Sequence, residues 1–227
     1  MKRYIIIILS FVFCASPAAS AQTDSDIENG SQQNISWSLT GGVQLTGFRM
    51  NTDNEESLPK EARPMLGMDL GLFTEYQINN MWSLRFAVIG NIERTSVMIS
   101  NHTNVITTFG TDILMPVVVR VPNRLGSWTF AAGPYTHFVL GSRTDDNNAL
   151  LNPYTRVVAN DPRSGETNFA LGSFNAGMTA SAGFDFGNRW QISMYVLWGV
   201  TDLLAADSHE LYIKSYKIGL RLIYTLD

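Results

Sequence analysis

From Ile35 onward, apolar side chains recur at every second position in segment after segment, with polar runs between them. A period of two marks a β-strand with unlike faces, because successive side chains point to opposite sides. The pattern predicts eight strands. The first, about 35–46, sets Trp37, Leu39, Val43 and Leu45 against Ser36, Ser38, Thr40 and Gln44. The second, about 65–78, sets Leu66, Met68, Leu70, Leu72 and Tyr76 against Asp69, Glu75 and Gln77. The third starts at Trp82, with Leu84, Phe86, Val88 and Ile92 opposed to Ser83, Arg85, Asn91 and Glu93. The fourth, about 111–121, is apolar on both faces, so periodicity leaves it unoriented. The fifth covers 128–140. The sixth, about 174–186, alternates Phe174, Ala176, Met178, Ala180, Ala182 and Phe184 with Asn175, Thr179, Ser181 and Asp185. The seventh sets Trp190, Ile192, Met194, Val196 and Trp198 against Arg189, Gln191, Ser193 and Tyr195. The last sets Tyr216, Ile218, Leu220, Leu222 and Tyr224 against Lys217, Gly219, Arg221 and Thr225.

Trp37, Trp82, Trp128 and Trp190 each open a strand, and the last three follow short polar turns at Asn79-Asn80-Met81, 122–127 and Gly187-Asn188. The connections at the other strand ends read as long and polar: 51–63, a stretch carrying Asn101-His102-Thr103-Asn104, 141–168 and 202–210. Short turns at one end, long loops at the other and an aromatic belt beside the turns predict one architecture. It is an all-β, eight-stranded antiparallel transmembrane β-barrel with short periplasmic turns and long extracellular loops. An even strand number places both ends of the barrel segment on the turn side. A soluble β-sandwich or lipocalin-like barrel would also alternate, but with its apolar face inside and its charges in water. The tryptophan belt and the loop asymmetry decide for the membrane.

The beginning of the chain adds a compartment. Lys2 and Arg3 precede the apolar run from Tyr4 to Phe13, and Ala19-Ser20-Ala21 offers small residues for cleavage. Residues 1–21 therefore read as an export signal. That run is too short to cross a bilayer as a helix, which takes about 20 residues. Residues 22–34 read as a polar periplasmic tail, and 35–227 as the barrel. Cys14 follows the bulky Phe13, which speaks against lipid attachment there. As the one cysteine of the chain it leaves with the signal, and disulfide, redox and cysteine–metal chemistry leave with it. A net charge of -4 without a basic patch gives nucleic acid no footing.

The polar faces carry Asp69, Glu75, Glu93 and Asp185 together with Arg85, Arg120, Arg189, Lys217 and Arg221. An eight-stranded barrel is just wide enough for side chains to fill. The expected interior is therefore plugged and salt-bridged. Pro116 and Pro134 fall inside strands at similar height, although neither can donate a ladder hydrogen bond. A β-bulge is the expected accommodation, and a hydrogen-bond-poor seam the alternative.

Candidate chemistry is thin. His102, His137 and His209 map to the extracellular half, with Ser142 and Asp145 just above His137. A hydroxyl nucleophile needs an adjacent base, but these groups are scattered and read as ordinary rim residues. Asp145-Asp146-Asn147-Asn148 reads as a solvated loop tip rather than a calcium site. No metal-ligand spacing, glycine-rich phosphate loop or paired-cysteine motif occurs. No catalytic, cofactor-binding or metal residue is assigned, and no cofactor is expected.

Two strands also carry a resemblance. Asp112-Ile113-Leu114-Met115-Pro116-Val117-Val118-Val119-Arg120 resembles the hydrophobic-x-x-Pro-aliphatic-aliphatic-aliphatic-basic strand of the PorT-like outer-membrane barrels of Bacteroidetes. Phe130-Ala131-Ala132-Gly133-Pro134-Tyr135 is similar to the Gly-Pro strand that follows it in that family. Asn175 to Phe186 and the closing Lys217 to Tyr224 resemble its later strands. Both anomalous prolines belong to the resemblance, which implies an architectural role for them. Barrels are commonly recognised for assembly through a terminal aromatic, whereas this sequence closes on Tyr224-Thr225-Leu226-Asp227 and leaves Tyr224 as the stand-in. The family includes a component needed for type IX secretion. The resemblance implies the outer-membrane barrel and carries over no functional residue.

The expected function is that of a non-enzymatic structural or accessory protein of the outer membrane, with a secretion or surface-assembly complex as the candidate setting. Its expected partners are outer-membrane lipids and envelope or secretion-complex proteins. The latter would be met by the loops at 51–63 and 141–168, because variable chemistry on a rigid scaffold is usually loop chemistry. A lipid-modifying enzyme using His137 and Ser142, and a narrow pore, are the alternatives.

Overall fold

The computed structural model describes residues 35–52, 61–99, 102–144, 150–151, 156–159, 167–170, 174–201 and 211–226. The expected signal and periplasmic tail lie outside the described residues. So do the side chains of His102 and His209 and the Asp145–Asn148 cluster.

The wall opens with β1 (Ile35–Thr52), β2 (Glu61–Gln77) and β3 (Trp82–Ile99). One wall strand then comes in two pieces, β4 (His102–Leu114) and β5 (Val117–Asn123), before β6 (Gly126–Thr144). The short segments β7 (Leu150–Leu151), β8 (Arg156–Ala159) and β9 (Thr167–Ala170) follow. The wall ends with β10 (Phe174–Asp185), β11 (Trp190–Gly199) and β12 (Leu211–Leu226). All pairings are antiparallel, and β12 returns to β1 while β6 pairs with β10. The eight staves β1, β2, β3, β4 with β5, β6, β10, β11 and β12 therefore close into a ring. Closure satisfies every edge, as a sheet in hydrocarbon requires. β7 adds to the end of β6, and β8 and β9 form a separate two-stranded pair.

The polarity is inside out. Leu66, Met68, Leu70 and Leu72 stand exposed on β2, and Ile192 and Met194 on β11, while Thr40, Gln44, Asp69, Glu93, Asn175, Lys217 and Arg221 are buried. Such a distribution suits lipid outside and a polar lumen within. Trp37, Trp82, Trp128 and Trp190 are all exposed at the turn end. Trp128 meets Phe184 edge-on with centroids 5.0 Å apart, and Trp190 lies 4.8 Å from Tyr224. A second belt of Phe109, Phe138, Phe174 and Trp198 faces outward at the far end. The fourth predicted strand, unoriented by its sequence, turns Asp112, Leu114 and Val118 inward, and β4 begins earlier than 111, adding Ile106 and Thr108 to that face.

Several boundaries move. The turn expected over 122–127 is tighter, since Asn123 pairs with Gly126 and leaves Arg124–Leu125 as a two-residue loop. At the other end the strands run on beyond the apolar band. β3 and β4 pair as far as Ile99 opposite His102, so the long second loop expected around Asn101–Asn104 is replaced by a hairpin. β1 and β12 likewise pair out to Thr52 and Leu211. Beyond the hydrocarbon both faces meet water, so ladder bonds continue there without an alternating sequence.

The prolines sit in register. Leu114 pairs with Tyr135 and Val117 with Ala132, so no residue is inserted across Pro116. The expected bulge is absent at this place. Instead each proline keeps the one bond it can make: the Pro116 carbonyl accepts from the Arg85 amide at 3.0 Å, and the Pro134 carbonyl from Met115 at 3.1 Å. Register shifts occur elsewhere, between Phe109 and Gly110 and between Pro64 and Met68.

Candidate functional site

Alternation delivers charged side chains from every side into one narrow lumen, where they settle at three levels. Nearest the turns, Glu75 and Arg85 stand directly opposite on β2 and β3. Arg85 donates to Glu75 Oε2 through Nη2 at 2.8 Å and Nε at 3.0 Å, and Arg120 Nη2 lies 2.6 Å from Oε1. The Ser83 hydroxyl also donates to Oε1. Arg85 reaches on to Gln191, whose amide donates to Thr129 at 2.8 Å.

At mid-height, Arg221 Nε lies 3.2 Å from both oxygens of Asp69. Its guanidinium sits over the Tyr195 ring, 3.6 Å from the centroid. The Tyr195 hydroxyl lies 2.5 Å from Asp69 Oδ2 and 2.9 Å from Gln44 Oε1. Stacking and hydrogen bonding thus fix the same carboxylate from two strands.

The outermost level gathers Glu93, Asp112, His137 and Lys217 from β3, β4, β6 and β12. Lys217 Nζ donates to the two Asp112 oxygens at 2.9 and 3.0 Å and pairs with Glu93. His137 Nδ1 is 2.7 Å from Asp112 Oδ1 and 3.3 Å from the ammonium. Across the three levels four carboxylates, Asp69, Glu75, Glu93 and Asp112, meet four permanent cations, Arg85, Arg120, Lys217 and Arg221. Buried charges need such pairing, because an isolated one would cost several kcal/mol in desolvation.

Glu93, Asp112 and His137 each bring a ligand atom within 4.8 Å of the others, spacing that a metal ion could use. The ammonium of Lys217 already touches both carboxylates and lies beside the imidazole. It holds the position a metal would take, so the set fits an ion-pair cluster better than a metal centre.

His137 is the main relocation. It was expected at the rim, yet it is buried to 3% exposure in the lumen. Ser142 lies five residues further along β6. At about 3.3 Å per residue that is roughly 15 Å, beyond hydrogen-bond reach. The structure joins His137 to Asp112, not to Ser142. Asp185 and Arg189, expected in the lumen, stand at the turn end instead: Asp185 closes β10 and accepts from the Gly187 amide at 2.9 Å, and Arg189 lies in the turn that follows. Asp112 itself was noted only within a strand motif. The signal that could have found it was one acid in an otherwise apolar strand.

His137 fits because Gly110 faces it from β4. A Cβ on Gly110 would stand 2.3 Å from His137 Cε1 and 2.9 Å from Asn91 Oδ1. The imidazole cannot swing away without leaving Asp112. Gly110→Ala is therefore expected to lower stability by about 1–3 kcal/mol, as overpacking does. Urea unfolding of the vesicle-inserted barrel measures this, and an unchanged midpoint would show that the ring is free to move.

A closed barrel with a polar lumen and an apolar, aromatic-belted exterior is an integral protein of the outer membrane. Residues 20–205 match the family model described as the outer membrane protein beta-barrel domain, and the chain belongs to that family. Solved structures similar to it include OprG of Pseudomonas aeruginosa, 9% identical with a TM-score of 0.45, over 84% of this chain and 95% of that one. Neisserial surface protein A is 8% identical with a TM-score of 0.41, over 84% and 97%. Ail, the attachment invasion locus protein of Yersinia pestis, is 13% identical with a TM-score of 0.36, over 83% and 98%. No curated protein matches the chain.

Proposed function

We propose that this protein is a non-enzymatic, closed barrel that serves as a structural or accessory component of the outer membrane. The observation that carries the reading is the lumen. Ion pairs fill it at three levels, and the cavity between Phe73, Arg85, Leu114, Pro116 and Tyr195 is about 20 Å³, room for about one water. A wall so filled has its exterior and its extracellular end left for interaction. The separation of Ser142 from His137 speaks against the lipid-modifying alternative. The proline-bearing strands at 112–120 and 130–135 resemble those of PorT-like barrels, which makes a secretion or surface-assembly complex the partner to look for first.

Two measurements test this. In planar bilayers the purified protein is expected to give no discrete conductance, and regular single-channel steps would favour the pore instead. Crosslinking in native outer membranes, followed by mild solubilisation, is expected to recover a stoichiometric envelope partner. Recovery of the barrel alone would remove the accessory role.

A further inference from the structure

Between the turn-side and middle ionic levels the lumen keeps a cavity of about 20 Å³. Its polar lining comes from Arg85, Thr179, Ser181, Ser193 and Arg221, and none of the lining side chains is acidic. The carboxylates that pair with the two arginines, Glu75 and Asp69, stand outside it. Tyr195 also borders the cavity, but its hydroxyl is turned to Asp69 and Gln44. The polar side chains that face this space are therefore guanidinium donors, or hydroxyls able to donate.

Two of these groups have capacity to spare. Arg221 is 4% exposed, and its Nη2 makes no hydrogen bond. Its Nε is taken by Asp69 and its plane by the Tyr195 ring, so the Nη edge is what it can still offer. A buried donor on a charged group is costly to leave unpaired, and a bound acceptor would be stabilising. Ser193 makes only long contacts of 3.5 Å, to the carbonyls of Ala182 and Met194. The approach from the turns is electropositive as well, because Arg85 and Arg120 share the carboxylate of Glu75. Arg120 is the most open member of that cluster, with 25% of its side chain exposed.

The space takes about one water, but a water brings two hydrogens to a lining rich in donors and without carboxylates. A halide is only slightly larger, brings no hydrogen and accepts from several donors at once. Sulfate or phosphate would exceed the volume. We propose that this cavity binds a single small anion of the halide class, with chloride its ordinary occupant. Arg221 Nη2 and the hydroxyls of Thr179, Ser181 and Ser193 donate to it, and Arg85 adds its positive field. The anion is held in the lumen and not conducted, and the site is independent of any protein partner of the barrel.

Crystals of the full-length protein grown in sodium bromide test the site directly. An anomalous peak is expected in the cavity, within hydrogen-bonding distance of Arg221 Nη2. Urea unfolding in phosphatidylcholine vesicles tests it in the membrane, with gluconate, too large for the cavity, as the reference anion. At equal ionic strength the unfolding constant of the parent should be about tenfold smaller in bromide than in gluconate, the effect of a ligand at about ten times its Kd. Thr179→Val/Ser193→Ala keeps nearly the same shape but removes two hydroxyls, and should cut that ratio to about threefold or less. These changes are preferred to Arg221→Met, which also strips Asp69 of its partner. Ser38→Ala removes a lumen hydroxyl beside Thr225, outside the cavity, and should keep the full ratio. A cavity without anomalous signal would overturn the proposal and leave water as its occupant. Equal ratios in parent and double variant would mark a general salt effect and overturn it as well.

Discussion

Lys217→Met is expected to destabilise the barrel by about 3–5 kcal/mol, the usual consequence of removing one partner from a buried ionic cluster. The ammonium is fully buried and touches both Asp112 and Glu93. Methionine fills nearly the same space, so packing is largely kept and the change isolates the charge. Two carboxylates would remain within a few ångströms of each other, with His137 the nearest group able to offset them. Neutralising them as well, in Lys217→Met/Asp112→Asn/Glu93→Gln, should restore most of the loss, because an uncharged cluster no longer suffers the desolvation. Urea unfolding in vesicles, followed by tryptophan emission, gives both numbers. A loss below about 1 kcal/mol for the single variant would mean that bulk water screens the site. That result would also undermine the closed-lumen reading, since a lumen wet enough to screen charges could carry ions.

The sequence made the lipid-facing surface legible because lipid demands strict alternation, and a slip of one residue would turn a whole strand over. Leu66 to Leu72 and Ile218 to Leu222 fall on the predicted face for that reason. The pairing of Glu75 with Arg85 and of Asp69 with Arg221 was legible only as a balance of charge, and Arg221 lies 152 residues from Asp69 along the chain. Strand ends were less legible. In β3 the segment 94–99 and in β4 the segment 102–108 carry no clean alternation, yet they pair, because above the hydrocarbon a ladder needs no apolar face. Underestimating that extension placed His137 at the rim instead of among Asp112, Glu93 and Lys217. Asp112 was hidden by the same strand's inward Ile106, Leu114 and Val118, which blur the period. Pro116 and Pro134 were conspicuous in sequence, but only the neighbouring register shows that a wall can lose single bonds without gaining a residue.

The inside-out arrangement itself makes a sharper prediction than any internal contact. Leu70 is 71% exposed. It stands six residues from Tyr76 of the turn-side belt, roughly 15 Å along the barrel axis and so near the bilayer midplane. Leu70→Arg is expected to cost about 2–4 kcal/mol, because the guanidinium must sit in hydrocarbon or drag water to it. At the interfacial position the same change, Tyr76→Arg, should cost only about 0–1 kcal/mol from its charge, apart from lost aromatic packing. On a water-exposed strand neither change would exceed about 0.5 kcal/mol. Unfolding free energies for the two variants in the same vesicles therefore read depth directly. A mild effect at Leu70 would place that face in water and reverse the orientation on which the lumen and the belts both depend.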